Sequence, residues 1–216
     1  MRILLFCLSL CFSGLLSAQF GVATFANFQS NDWTFPVDDN SPSLLNEIGG
    51  EVAVHYWFRL PKKRVEFQPT LYFGSTSGNG FDGGMKEFGF QFKTNIYLFD
   101  FGTDCNCPTF GKQGPSLQKG FFVQLSPGYA IYDLEIPTAN LENTSGFTFG
   151  GGVGIDFGLS NLLTITPIAS FRYAAQPYLE SDIIGVNGEV TGVGGPRLVS
   201  YQLGLQATFR IDKRRY

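Results

Sequence analysis

Few side chains in this chain are of the types that carry out chemistry. It has one histidine, His55, and four cysteines, two of which stand two residues apart in the run Asp104-Cys105-Asn106-Cys107-Pro108. A histidine acting as a general base needs a nucleophile within reach and a carboxylate to orient it. His55 instead has Glu51 and Arg59, four residues away on either side, as same-face neighbours, which suits a hydrogen-bond network better than a triad. A zinc ion would need four ligands, and no further Cys or His lies near Cys105 and Cys107 in sequence. Asp38-Asp39-Asn40 has part of a calcium-ligand composition but not the spacing of a complete loop, so it reads as a solvated acidic stretch. Asn143-Thr144-Ser145 matches a glycosylation sequon, a motif that arises often by chance. The remaining candidates are scattered charges of both signs: Glu51, Arg59, Glu66, Lys93, Asp156, Arg172 and Arg210. Their meaning depends on the elements that hold them.

The chain opens MRILLFCLSLCFSGLLSAQF. Arg2 is followed by an apolar run too short for a spanning helix and then by the small-residue site Leu16-Ser17-Ala18, the pattern of a secretory signal peptide. Residues 1–18 therefore read as a signal peptide and 19–216 as one domain. Removing the first segment takes away Cys7 and Cys11 and leaves Cys105 and Cys107 as the mature cysteines. An oxidising compartment favours either a Cys105–Cys107 disulfide, strained by the short separation, or a bond to a partner. A net charge of −3 leaves no nucleic-acid footprint. No later run reaches the ~18 apolar residues of a spanning helix.

From Ile48 onward the chain alternates. Ile48, Gly50, Val52, Val54, Tyr56, Phe58 and Leu60 form one phase, and Gly49, Glu51, Ala53, His55, Trp57 and Arg59 the other. Such a period of two is a strand signal. It recurs from Val65, from Phe88, from Phe121, from Phe147, from Leu163 and from Tyr201, and more weakly over Gln19 to Phe28, giving eight strands. Each is long enough for a tilted membrane strand of ~9–11 residues.

A soluble β fold and a membrane barrel both alternate; the polar phase separates them. Here it is rich in Gly, Gln, Ser and Thr with few charges, which suits a crowded barrel interior where opposite charges pair. Aromatics gather at both strand ends: Phe28, Phe73, Phe88, Tyr129, Phe147, Tyr173 and Tyr201 at one, Phe20, Phe58, Phe67, Phe121, Phe157 and Phe209 at the other. Two interfacial girdles result. Pro69, Pro127 and Pro167 fall inside strands on the outward phase, where each is expected to remove a ladder bond without shifting the register.

With the first strand starting in the periplasm, Pro61 to Arg64 and Gly158 to Asn161 become short inner turns. Gln29 to Asn46, Ser75 to Lys86, Asp133 to Ser145 and Gln176 to Arg197 become outer loops, and Asn187-Gly188 can close a hairpin in the last of these. The exception is the long inner connection Gly102 to Lys119, which carries the two cysteines.

On these features the chain resembles the small outer-membrane β-barrels of the OmpA/OmpX type, the porin-family outer-membrane β-barrel domains of Gram-negative envelopes. The resemblance extends over nearly all of Gln19 to Tyr216. Its most specific part is the last strand, where Gln202-x-Gly204-x-x-Ala207-x-Phe209 follows the assembly β-signal and the chain ends on Tyr216. Ala207 is a weak match, and Asp212-Lys213-Arg214-Arg215 separates the signal from the end. The resemblance implies an all-β, eight-stranded antiparallel transmembrane barrel, inserted into outer-membrane lipid by the barrel assembly machinery. It does not imply one activity. Expected, then, is a non-enzymatic barrel without cofactor or metal, its lumen plugged by side chains. Its role is expected to be as an anchor or scaffold for envelope protein partners. The alternatives are a narrow channel for small solutes or a subunit of a secretion or assembly complex.

Overall fold

The structure, a computed structural model, describes residues 19–31, 48–60, 64–78, 83–98, 120–135, 143–160, 162–174, 182–184, 190–192 and 198–210. All regular structure among them is strand: β1 Gln19–Asn31, β2 Ile48–Tyr56, β3 Phe58–Arg59, β4 Val65–Ser77, β5 Gly84–Ile96, β6 Phe121–Glu135, β7 Thr144–Ile155, β8 Phe157–Gly158, β9 Leu163–Ala174, β10 Asp182–Ile184, β11 Val190–Gly192 and β12 Leu198–Arg210. β3 continues β2 and β8 continues β7, so eight spanning strands result. Each pairs antiparallel with its neighbours in sequence, and β12 pairs with both β9 and β1, which closes the sheet into a barrel. Stepping from Cα partner to Cα partner leads from Gly21 through His55, Thr70, Gln91, Gly128, Thr148, Ala174 and Leu198 to Asn31. One lap thus climbs along β1 from Gly21 to Asn31, a stagger consistent with strands tilted by ~35–45°.

The three prolines account for the ladder's interruptions. Pairing between β2 and β4 stops at His55↔Thr70 and resumes at Phe58↔Phe67, so Pro69 faces the gap beside Tyr56. Between β5 and β6 it stops at Gln91↔Gly128 and resumes at Thr94↔Leu125, with Pro127 opposite Phe92. Between β7 and β9 it stops at Gly154↔Ile168 and resumes on β8 at Phe157↔Ile165, with Pro167 opposite Ile155. A proline has no N–H to donate across the seam. The register is the same on both sides of every gap, and the separation of β3 from β2 and of β8 from β7 is the imprint of a proline on the facing strand.

The core sits in the lumen, and its glycines make room for rings. Four large inward side chains each lie over the glycine directly across the strand pair: His55 over Gly21, Tyr72 over Gly89, Phe122 over Gly154 and Phe25 over Gly204. A Cβ at Gly204 would stand 2.1 Å from the Phe25 ring and 2.6 Å from the Thr24 carbonyl, so the close approach requires glycine there. The glycine-rich polar phase is therefore one half of a set of interlocking pairs.

Two connections differ from the sequence reading. β4 and β5 stay paired as far as Ser77↔Gly84, and β6 and β7 run to Glu135 and from Thr144. Much of Ser75 to Lys86 and the ends of Asp133 to Ser145 are strand, not loop. In the connection Gln176 to Arg197, Ile184 pairs with Val190, bracketing the Asn187-Gly188 position. At the end that carries Gln19 and Arg210, the turns are tight: Leu60 N–H donates to Val65 O at 3.2 Å and Leu159 N–H to Leu163 O at 3.0 Å. Cys105, Cys107 and Tyr216, like residues 1–18 and Asp38 to Asn40, lie outside the described residues.

Candidate functional site

Along the eight spanning strands the inward phase is largely buried and the outward phase half-exposed or exposed, and through most of their length the polarity of the two is reversed from that of a soluble protein. Arg172, Glu51, Gln91 and Gln206 are at most 4% exposed, while Val52, Phe147 and Leu203 are all more than half exposed. A continuous apolar surface of this extent is not stable in water. On β6 the exposed or half-exposed run Phe121, Val123, Leu125, Pro127, Tyr129, Ile131 spans about 25 Å at this tilt, the height of an outer-membrane apolar band. Aromatic contacts lie at both ends of the band. Phe20 stacks on Phe209 at 5.2 Å and Phe58 meets Phe67 at 5.4 Å near the termini, and Tyr129 meets Phe147 edge-on at 5.3 Å at the far end.

The chain folds as an eight-stranded transmembrane β-barrel of the outer-membrane type.

Inside the barrel, the polar side chains form three levels. Farthest from the termini, Arg172 on β9 reaches across the lumen, and its Nη2 donates to Glu51 Oε2 on β2 and Glu87 Oε2 on β5, both at 2.8 Å. Its guanidinium lies 4.2 Å from the centroid of the Tyr72 ring on β4, and the Tyr72 hydroxyl donates to Glu87 Oε1 at 2.7 Å. Gln202 Nε2 on β12 donates to Glu51 Oε2 and to Asn27 Oδ1, each at 3.0 Å, and Asn27 Nδ2 on β1 donates to the same Glu51 oxygen at 3.3 Å. One arginine thus ties five other strands into a single network. A buried carboxylate needs such partners, because an isolated buried charge is far more costly than a solvated one.

At the middle level, the Lys93 ammonium sits 4.9 Å from the centroid of Phe25, Gln124 Nε2 donates to Asn95 Oδ1 at 2.7 Å, and His55 Nε2 lies 3.4 Å from the Thr208 hydroxyl. Among the described residues, no carboxylate is hydrogen-bonded to His55. At the level nearest the termini, the Tyr97 hydroxyl lies 2.8 Å from both Glu66 Oε2 and Asp156 Oδ2, and the Thr166 hydroxyl donates to Asp156 Oδ1. The Tyr97 ring rests 5.4 Å from Phe122. No group of three or more His, Cys, Asp or Glu among the described residues is placed to hold a metal.

The structure therefore places Glu51, His55, Glu66, Lys93, Asp156 and Arg172 in the lumen but on different levels, with Glu51 and Arg172 in direct contact. Arg59 and Arg210 lie on lumen-phase positions of β3 and β12; their side chains are outside the described set. Gln202 and Gly204 face inward on β12, Gln202 holding Glu51 and Gly204 receiving Phe25, while Phe209 joins the aromatic ring near the termini. Ala207 pairs with Val22 across the closing seam. Sequence reasoning missed Glu87, Tyr72, Tyr97 and Asn27 as members of the network. Glu87 has the same parity as Gln91 and Lys93, the one signal that could have placed it in the lumen.

No protein-family model and no curated relative matches the chain. Among solved structures, the barrel is similar to Neisserial surface protein A, with a TM-score of 0.47, 11% identity, and coverage of 88% of this chain and 97% of that one. It is also similar to a major outer membrane protein from Thermus thermophilus, with a TM-score of 0.47, 14% identity, and coverage of 90% and 99%. For Ail, the attachment invasion locus protein of Yersinia pestis, the TM-score is 0.41, the identity 12% and the coverage 89% and 97%. At these scores the likeness is one of general architecture, and no function is carried over from it.

Proposed function

We propose that this protein is an integral outer-membrane barrel that acts as a rigid, non-conducting scaffold, presenting connecting segments on both sides of the membrane to other envelope components. The observation that supports it best is the cross-lumen network centred on Arg172. It fills an eight-stranded barrel with paired charges and joins opposite walls, which is a structural arrangement and not a substrate site. Secretion would follow from the signal-like residues 1–18, and insertion by the barrel assembly machinery from Gln202, Gly204, Ala207, Phe209 and Tyr216. The termini and the tight turns then face the periplasm, as does the long connection that carries Cys105 and Cys107. The proposed role is non-enzymatic and needs no cofactor.

A second reading, a narrow channel for small solutes, draws on one further observation. Gln68 Oε1, Gln91 Oε1, Asn95 Nδ2 and Thr148 Oγ1 are buried without a protein partner, and water can satisfy such atoms. Planar-bilayer recording separates the two readings. The scaffold predicts a silent bilayer after insertion, whereas steady open currents would overturn it in favour of the channel.

A further inference from the structure

Toward the end opposite the termini, the polarity of the barrel wall changes sign. On β4 to β7 the outward positions there are Ser75 and Ser77 on β4, Lys86 on β5, Asp133 and Glu135 on β6 and Ser145 on β7, with Lys86 paired to Glu135 on the surface, while Ile48 on β2 stays apolar and exposed. The inward positions change in the opposite sense. Met85, Tyr132, Leu134, Ala174 and Leu198 are all buried at 8% exposure or less. Met85 and Leu134 are direct cross-strand partners on one wall, as are Ala174 and Leu198 on the other. Polar outside and apolar inside is the ordinary arrangement of a protein in water. Over β4 to β7 the wall therefore continues past the apolar band as a short water-exposed collar, with an apolar layer inside it. Among the described inward residues beyond Glu87 and Arg172, there are no charges, only Gln29, Thr76, Thr144 and Ser200 beside the apolar set.

We propose that this apolar layer is a dry seal that closes the lumen at the collar, above the Arg172 network. An ion reaching it would have to shed its water where no charge and only a few polar groups, those of Gln29, Thr76, Tyr132, Thr144 and Ser200, face inward, the principle by which hydrophobic constrictions exclude ions. The charge network then serves to hold the wall together, and the exclusion of solutes belongs to Met85, Tyr132, Leu134, Ala174 and Leu198. The proposal rests on reading the chain as a membrane-spanning barrel and adds the position and chemistry of its closure.

The test uses the full chain in outer membranes with Cys105 and Cys107 replaced by serine and with Ser200→Cys as a reporter. Ser200 is 1% exposed and stands two residues from Leu198 on the same inward phase, on the side nearer the Arg172 network. The probe is a small cationic methanethiosulfonate, which forms a mixed disulfide with the reporter thiol and releases methanesulfinate. With the seal intact, labelling from outside is slow. Met85→Ser with Leu134→Ser should accelerate it by about tenfold or more, while Ile131→Ser, on the lipid-facing side, should leave it unchanged. Should the double variant fail to insert, Leu198→Ser on the opposite wall is expected to accelerate labelling in the same way. Labelling at the unmodified rate in a seal variant that keeps its heat-dependent gel shift overturns the seal. Absence of that shift in the unsubstituted chain instead contradicts the barrel reading itself.

Discussion

Arg172 is the residue on which the lumen turns. It donates to two carboxylates on different strands and lies against a tyrosine that is bonded to one of them. Arg172→Ala would leave Glu51 and Glu87 buried without their cation and should destabilise the barrel by about 3–5 kcal/mol, read as a lower urea midpoint in detergent. Replacing Arg172, Glu51 and Glu87 together by apolar residues of similar size should recover most of that loss, because the uncompensated charges leave with the cation. Gly204 is the second informative position. Gly204→Ala drives a methyl group into the Phe25 ring and the Thr24 carbonyl and should cost about 1–3 kcal/mol. Phe25→Ala in the same chain should make Gly204→Ala less damaging. If the loss is unchanged by Phe25→Ala, Gly204 matters for insertion or for the Thr24 contact and not for receiving the ring. At this scale the sequence is only partly legible. Inward-facing charges can be recognised by parity, but the partnership of Glu51 with Arg172, 121 residues apart, depends on how far the sheet is sheared when it closes. No local pattern encodes that stagger.

The strands were legible because a wall that separates lipid from a filled lumen imposes a strict period of two, and a slip of one residue would expose every polar side chain to lipid. Strand ends were harder to read, for the reason the collar supplies. Beyond Phe73, Phe88 and Ile131 the outward positions become Ser75, Lys86 and Asp133, and the alternation loses its apolar phase although the backbone pairing continues. A reader of the sequence stops the strand where the membrane stops, not where the ladder does. The prolines show the opposite case, since Pro69, Pro127 and Pro167 could be assigned a lost ladder bond from the sequence alone. These three seams should be the softest parts of the wall. Amide exchange in segments flanking Pro69, Pro127 and Pro167 should run about tenfold faster than in the uninterrupted pairing of β1 with β12, measured by deuterium uptake in micelles. Uniform protection around the barrel would show that the gaps are mechanically silent.

As a whole, the molecule has two polarity arrangements on one continuous wall. Through the apolar band it is apolar outside and polar inside, and at the collar formed by β4 to β7 it is the reverse. A soluble β protein would show the second arrangement throughout. The reversal therefore fixes both the height of the membrane-embedded part and the end that projects from it. The claim on which the rest depends is that the apolar band faces outer-membrane lipid, and fractionation combined with gel mobility of boiled and unboiled samples tests it most directly. The protein should be recovered with outer membranes and should migrate faster unboiled than boiled, as a barrel that resists detergent until heated does. Recovery as a soluble periplasmic protein with no heat-dependent shift would contradict the account.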